Sequence, residues 1–210
     1  MSNLRVLGRT TSINVRKVLW TLAELEMEFD HEDHWAGPKG DTKSTDYLAM
    51  NPNGLVPVIE DENGLLWESN TICRYLALKA GREDLLPAEI ARRAQVEKWM
   101  DWQSTQLNDA YRHAFMWLVR KNLAFDDDRL VKDSARRWNE AMSILDVQLA
   151  GTGAHVCGDN FTLADIVLAL ATHRWRKTPI EREDFPAVEG WMARLVGRKG
   201  YQLYCAPDIP

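Results

Sequence analysis

Two short segments of the 210-residue chain combine residue types that can hold a peptide-like molecule. Asn51-Pro52-Asn53-Gly54 is a compact turn signal, and the apolar run behind it, Leu55 to Glu60, has Pro57 set inside. Proline has no N–H to give a ladder, so a strand here should begin or bulge at Pro57 and leave backbone groups for another partner. With a cis Val56-Pro57 bond, the N–H and C=O of Val56 turn outward and can pair with an extended peptide as a sheet edge would. Glu68-Ser69 follows at a helix start. There the N–H and hydroxyl of Ser69 suit a carboxylate at the positive helix end, and Glu68 suits an amine. A ligand with one free α-amino-acid end and a peptide body fits the set. Taken singly, Pro57 reads as a strand end and Ser69 as a cap; only the combination points to recognition.

The elements that must carry these residues can be read from periodicity. Leu4 to Gly8 reads as a strand, and Val15, Val18, Leu19, Leu22 and Leu25 share one helical face, with Ser12 and Asn14 as caps. Glu28 to His34 should be the parallel return strand, Gly37, Pro38 and Gly40 a loop, and Asp46 to Met50 a helical turn. A hairpin through Asp61 to Gly64 and a helix from Ser69 to Gly81 complete an α/β amino-terminal domain over residues 1–81. Residues 82–90, with Leu85-Leu86-Pro87, read as a linker. Residues 91–210 show no strand pattern. Ala91 to Lys121, Asp126 to Leu149, Phe161 to Trp175 and a last helix from Pro186 predict an all-α bundle, with Val188, Trp191, Met192 and Leu195 facing inward. Thr162 and Asp165 have the spacing of a capping box, with Phe161 stapled to Ile166, a folding role rather than a catalytic one.

Composition narrows the class. The chain is 45% hydrophobic and 27% charged, as ordinary globular proteins are. No apolar run approaches the ~20 residues of a membrane helix, and Met1 to Arg9 lacks the pattern of a secretory signal, which predicts a cytoplasmic protein away from membranes. A net charge of -5, with scattered Lys and Arg, argues against nucleic acid. Cys73, Cys157 and Cys205 have neither disulfide nor zinc spacing and read as reduced thiols. His31, His34, His113, His155 and His173 form no metal pattern and read as surface residues, so no metal is expected.

Taken in order, Ser12-Ile13-Asn14-Val15-Arg16-Lys17, Asn51 to Pro57, Glu68-Ser69-Asn70 and Gly158-Asp159-Asn160-Phe161-Thr162-Leu163-Ala164-Asp165 resemble the soluble glutathione S-transferases over nearly the whole chain. The nearest likeness is to the serine-using bacterial, theta, beta and nu-like subgroups. The resemblance implies a thioredoxin-like amino domain, a helical carboxyl domain, glutathione as co-substrate and a homodimer. It also implies that Val56 and Pro57 bind the cysteinyl backbone of glutathione and that Glu68 and Ser69 bind its γ-glutamyl end. Asn53 then lies near the glycyl half, where Lys39 or Lys43 would supply positive charge. Asp101 would reach the γ-glutamyl amine of a neighbouring subunit.

Chemistry in that family begins with a thiolate, because a thiol of pKa near 8.5 is mostly protonated at neutral pH. Ser12 matches the serine subgroups as the hydroxyl that stabilises it, with Thr10 and Thr11 as neighbouring alternatives. Asn14 matches a bacterial pairing of Thr or Ser with Asn around the sulfur. Trp102, Tyr111, Phe115, Trp117 and Trp175 offer walls for an apolar electrophile, although most should be bundle core. Three functions follow: conjugation of glutathione to a small hydrophobic electrophile in detoxification, glutathione-dependent disulfide reduction, and non-catalytic glutathione binding.

Overall fold

The computed structural model describes residues 4–36 and 40–207, and the chain divides after Glu83 into two compact units. The first is built on a four-stranded sheet in the order β2-β1-β3-β4, formed by β1 (Arg5–Leu7), β2 (Asp30–Glu32), β3 (Val58–Asp61) and β4 (Gly64–Trp67). β1 runs parallel to β2 and antiparallel to β3, which forms a hairpin with β4. β3 starts immediately after Pro57, where the missing N–H ceases to matter.

Alternation along β1 and β3 sorts side chains to the two faces. Leu7 and its partner Val58 are fully buried with Tyr47 of α2 (Thr45–Met50), and Val6 with its partner Ile59 is buried on the opposite face. The helices α1 (Ile13–Leu25) and α3 (Ser69–Lys79) pack together. They bury Val15, Val18, Leu19 and Leu22 of the stripe read from the sequence, with Leu25 half-buried, and Ile72, Cys73 and Leu76 of α3. Lys17 is also buried, and its ammonium donates to Asn70 Oδ1 at 3.2 Å, tying the amino-terminal halves of α1 and α3 together.

In the second unit, α4 (Ile90–Trp102), a π-helical turn (Gln103–Leu107) and α5 (Asn108–Leu118) run end to end through the stretch expected to be one long helix. The π turn was not visible in the sequence; it turns Gln103 and Leu107 inward. α6 (Asp128–Thr152) packs against α5. α7 (Leu163–Lys177) is buried from Leu163 to Trp175, and α8 (Pro186–Leu195) buries Val188, Trp191, Met192 and Leu195 as their spacing predicts. A further short helix, α9 (Lys199–Tyr204), had no periodic signal long enough to announce it.

The entry to α7 is tied more heavily than a capping box requires. Asp165 is fully buried, and its Oδ2 accepts the N–H and the hydroxyl of Thr162 at 2.8 and 3.1 Å. Its Oδ1 accepts the N–H of Val156 at 3.0 Å and the indole N–H of Trp191 at 2.9 Å. One carboxylate therefore joins the preceding loop, the helix start and α8.

The reading of the histidines as surface residues needs correction: of the five only His34 is exposed, and His113 and His155 are half-buried. His173 is not a surface residue: it is buried because every side of α7 is covered. His31 is half-buried, with Nε2 bonded to the Gly8 carbonyl at 2.8 Å. The three cysteines are free thiols. Among the described residues no group of His, Cys, Asp or Glu is arranged to hold a metal ion, and no helix is long and apolar enough to cross a membrane.

Candidate functional site

The Asn51 turn is held from inside. Asn51 Oδ1 accepts the backbone N–H and the side-chain amide of Asn53 at 3.1 and 3.0 Å. Asn51 Nδ2 and the Tyr47 hydroxyl both donate to the Leu55 carbonyl, at 2.8 and 2.9 Å. Burial pushes the Tyr47 phenol up to about 12, so it remains a donor at neutral pH. Tyr47 was not singled out in the sequence, since nothing local distinguishes an anchoring tyrosine from a core one. With Leu55 fixed, Val56 follows with a cis bond to Pro57. Among the described residues no hydrogen bond engages the N–H or C=O of Val56. Lys43 lies at the same turn: its ammonium donates to the Asn53 carbonyl at 3.2 Å. Gly54 has φ +60, and a Cβ there would stand 2.6 Å from that ammonium. Lys39 lies outside the described residues.

Sheet register carries the next pair to this place. Val58 pairs with Trp67, so Glu68 and Ser69 emerge beside Pro57. Glu68 has φ 74, a left-handed conformation that costs a non-glycine residue about 1–3 kcal/mol. Its exposed side chain makes no capping bond. Ser69 is the first residue of α3 and is buried, and among the described residues its hydroxyl has no partner. No acidic residue stands in the first turn of α3 to neutralise its positive end.

The β1–α1 connection meets the same corner. A Cβ on Gly8 would lie 2.5 Å from Val15 Cγ2 and 2.9 Å from Val56 Cβ, so only glycine lets β1, α1 and the Val56 segment approach this closely. Ser12 occupies the N-cap of α1, yet its side chain makes no capping bond. Ser44, Glu89 and Asp127 show the contrast, because each uses its side chain to accept an N–H of the helix that follows. Asn14 lies within the first turn rather than capping it; it is half-buried, and its amide has no partner among the described residues. The neighbouring Thr10 differs, since its hydroxyl donates to Asp33 Oδ1 at 2.6 Å. α1 also lacks an acidic residue in its first turn. Ser12, Asn14, Val56, Pro57, Glu68 and Ser69 thus gather at one end of the sheet, with two positive helix ends and unused donors.

Asp101 belongs to the second unit, exposed on α4, with its carbonyl accepting the hydroxyls of Ser104 and Thr105 at 3.0 and 2.8 Å. Tyr111, Phe115 and Trp175 are core residues, and Trp102 and Trp117 are half-buried. The Arg174 guanidinium is buried over the Phe115 ring, 3.9 Å from its centroid, and donates to the Tyr111 hydroxyl at 3.2 Å. Burial lowers its pKa, with Tyr111 acting in the opposite sense.

Known proteins share this architecture. The family described as "Glutathione S-transferase, N-terminal domain" matches residues 11–79, and "Glutathione S-transferase, C-terminal domain" matches residues 108–199. Glutathione S-transferase GstB of Escherichia coli is 38% identical over 194 residues, covering 91% of this chain and 92% of its own. The theta class glutathione S-transferase from Xanthomonas axonopodis pv. citri, solved with glutathione bound, superposes with a TM-score of 0.91 at 33% identity over 100% of both chains. The glutathione S-transferase of Pseudomonas fluorescens gives 0.84 at 27% identity, again over 100% of both chains. By matched domains, sequence and fold, the chain belongs to the glutathione S-transferase family.

Proposed function

We propose that the protein is a glutathione transferase that joins the thiolate of glutathione to a small hydrophobic electrophile. The observation that carries the reading is the corner where Ser12 and Ser69, each at the positive end of a helix with its hydroxyl uncommitted, flank the unpaired backbone of Val56. The Val56 N–H and C=O receive the cysteinyl backbone of glutathione. Ser69 takes the γ-glutamyl carboxylate at the start of α3, and the exposed Glu68 takes the amine. Asn53 and Lys43 face the glycyl end, where the Lys43 ammonium meets its carboxylate. This places the sulfur toward Ser12, whose hydroxyl donates to the thiolate while Asn14 lines the other side. The thiol proton leaves to solvent, the sulfur attacks the electrophilic carbon, and the leaving group departs with the bonding pair. Negative charge on sulfur is stabilised by the hydroxyl and by the open N–H groups of α1.

The working form is a cytoplasmic homodimer in which Asp101 serves the neighbouring subunit's site. Support comes from β4, a sheet edge that shows Leu65 and Trp67 to solvent. Steady-state conjugation of glutathione to an aryl halide tests the activity. Ser69→Ala should raise KM for glutathione about tenfold or more at little change in kcat, the equivalent of the ~1.5–3 kcal/mol of a charge-assisted hydrogen bond. Turnover of a small disulfide in the absence of any conjugation, or an unchanged KM in Ser69→Ala, would overturn it.

A further inference from the structure

Ser12 sits at the end of a connection, Gly8 to Ser12, that lacks regular structure, and its position depends on what pins those residues. The segment following β2 does so. Gly8 N–H donates to the Glu32 carbonyl at 3.1 Å, and Arg9 N–H donates to the Trp35 carbonyl at 3.0 Å. Ser12 N–H then donates back to the Arg9 carbonyl at 3.0 Å, so Arg9 and Ser12 move as one turn around Thr10. Thr10 is held by a side chain: Asp33 Oδ1 accepts both its N–H, at 2.5 Å, and its hydroxyl, at 2.6 Å. We propose that Asp33 is a positioning residue for the reaction, holding Thr10 so that the Ser12 hydroxyl is left free and aimed at the glutathione sulfur. The inference rests on the reading of Ser12 as the thiolate donor.

The clamp has two effects. It fixes the Ser12 turn, and it removes the Thr10 hydroxyl as a competing donor. Partial burial raises the Asp33 carboxyl, but the Thr10 hydroxyl and N–H, with His31 and His34 nearby, outweigh it and hold the pKa below the usual carboxylate range. The clamp is therefore intact across neutral pH. The charge of Asp33 works the other way, since an anion near a thiolate disfavours it. With 62% of the side chain exposed, that opposition is screened. Both hydrogen bonds end on the same oxygen, so the amide oxygen of an asparagine can take them.

These features make the role separable from plain folding. In Asp33→Ala, the apparent pKa of bound glutathione, read from the pH profile of kcat/KM for an aryl halide, should rise, with about a threefold to tenfold loss of rate below that pKa and a little-changed KM for glutathione. Asp33→Asn should restore the parent profile, and Thr10→Val, which loses only the hydroxyl bond, should fall between. In a Ser12→Ala background Asp33→Ala should add little, because the hydroxyl it positions is gone. An Asp33→Ala profile equal to the parent's, or an equal loss with and without Ser12, would overturn the role of Asp33 while leaving Ser12 in place. A Ser12→Ala profile equal to the parent's would remove the Ser12 reading and this role with it.

Discussion

At the scale of single residues, like groups differ in which of them already has a partner. Thr10 and Ser12 carry the same chemistry, but Thr10 is bound to Asp33 and Ser12 is not. The sequence favoured Ser12 by resemblance but kept Thr10 and Thr11 as alternatives, because Asp33, which engages Thr10, is distant along the chain. Val56, Pro57, Glu68 and Ser69 were legible for the opposite reason: turn, proline and helix start are local signals. Thiols divide in the same manner. Cys73 is buried on α3, and burial pushes it up to about 11, against a hydrogen bond from Thr21 and the charges of Lys17 and Arg74. An unfolded thiol titrates near 8.5, so between roughly pH 8.5 and 11 the unfolded chain loses a proton that the folded one keeps. Stability is then complete below about pH 8.5 and falls as pH rises toward 11, by at most about 1.4 kcal/mol per unit for this thiol. Urea unfolding across that range should show a shallower fall in Cys73→Ala than in the parent. Parallel slopes would contradict the assignment.

At the scale of elements, helix starts do two kinds of work. Most are neutralised by their own residues: Asp46, Asp109, Asp128, Asp165 and Glu189 stand in the first turns of α2, α5, α6, α7 and α8. α1, α3, α4 and α9 carry none; at α4 the Glu89 side chain caps the start instead, whereas neither α1 nor α3 has a side-chain cap. The capping box of α7 was readable because Thr162 and Asp165 stand three residues apart in sequence, whereas the bonds to Val156 and Trp191 depend on tertiary packing. Those extra bonds set the magnitude of a prediction. Thr162→Ala removes a cap and should cost about 0.5–2 kcal/mol. Asp165→Asn replaces one accepting oxygen with a donor facing buried donors, and should cost more, about 2–5 kcal/mol, in urea unfolding monitored by Trp fluorescence. Equal costs would mean that the Val156 and Trp191 contacts add nothing.

At the scale of the molecule, the α/β and helical units were legible from the change of periodicity, while the π turn, α9 and the burial of His173 were not, because each depends on what packs against it. A homodimer predicts an unfolding midpoint that rises with protein concentration and a dimer mass in sedimentation; a concentration-independent midpoint with a monomer mass would contradict it. The central claim concerns the sulfur of glutathione held where α1 begins. Ultraviolet difference titration of the bound thiolate tests it most directly. The parent protein should ionise glutathione well below the ordinary thiol value near 8.5, and Ser12→Ala should return the pKa toward that value while glutathione still binds. An ordinary thiol pKa in the parent complex, or an equally lowered one in Ser12→Ala, would contradict the account.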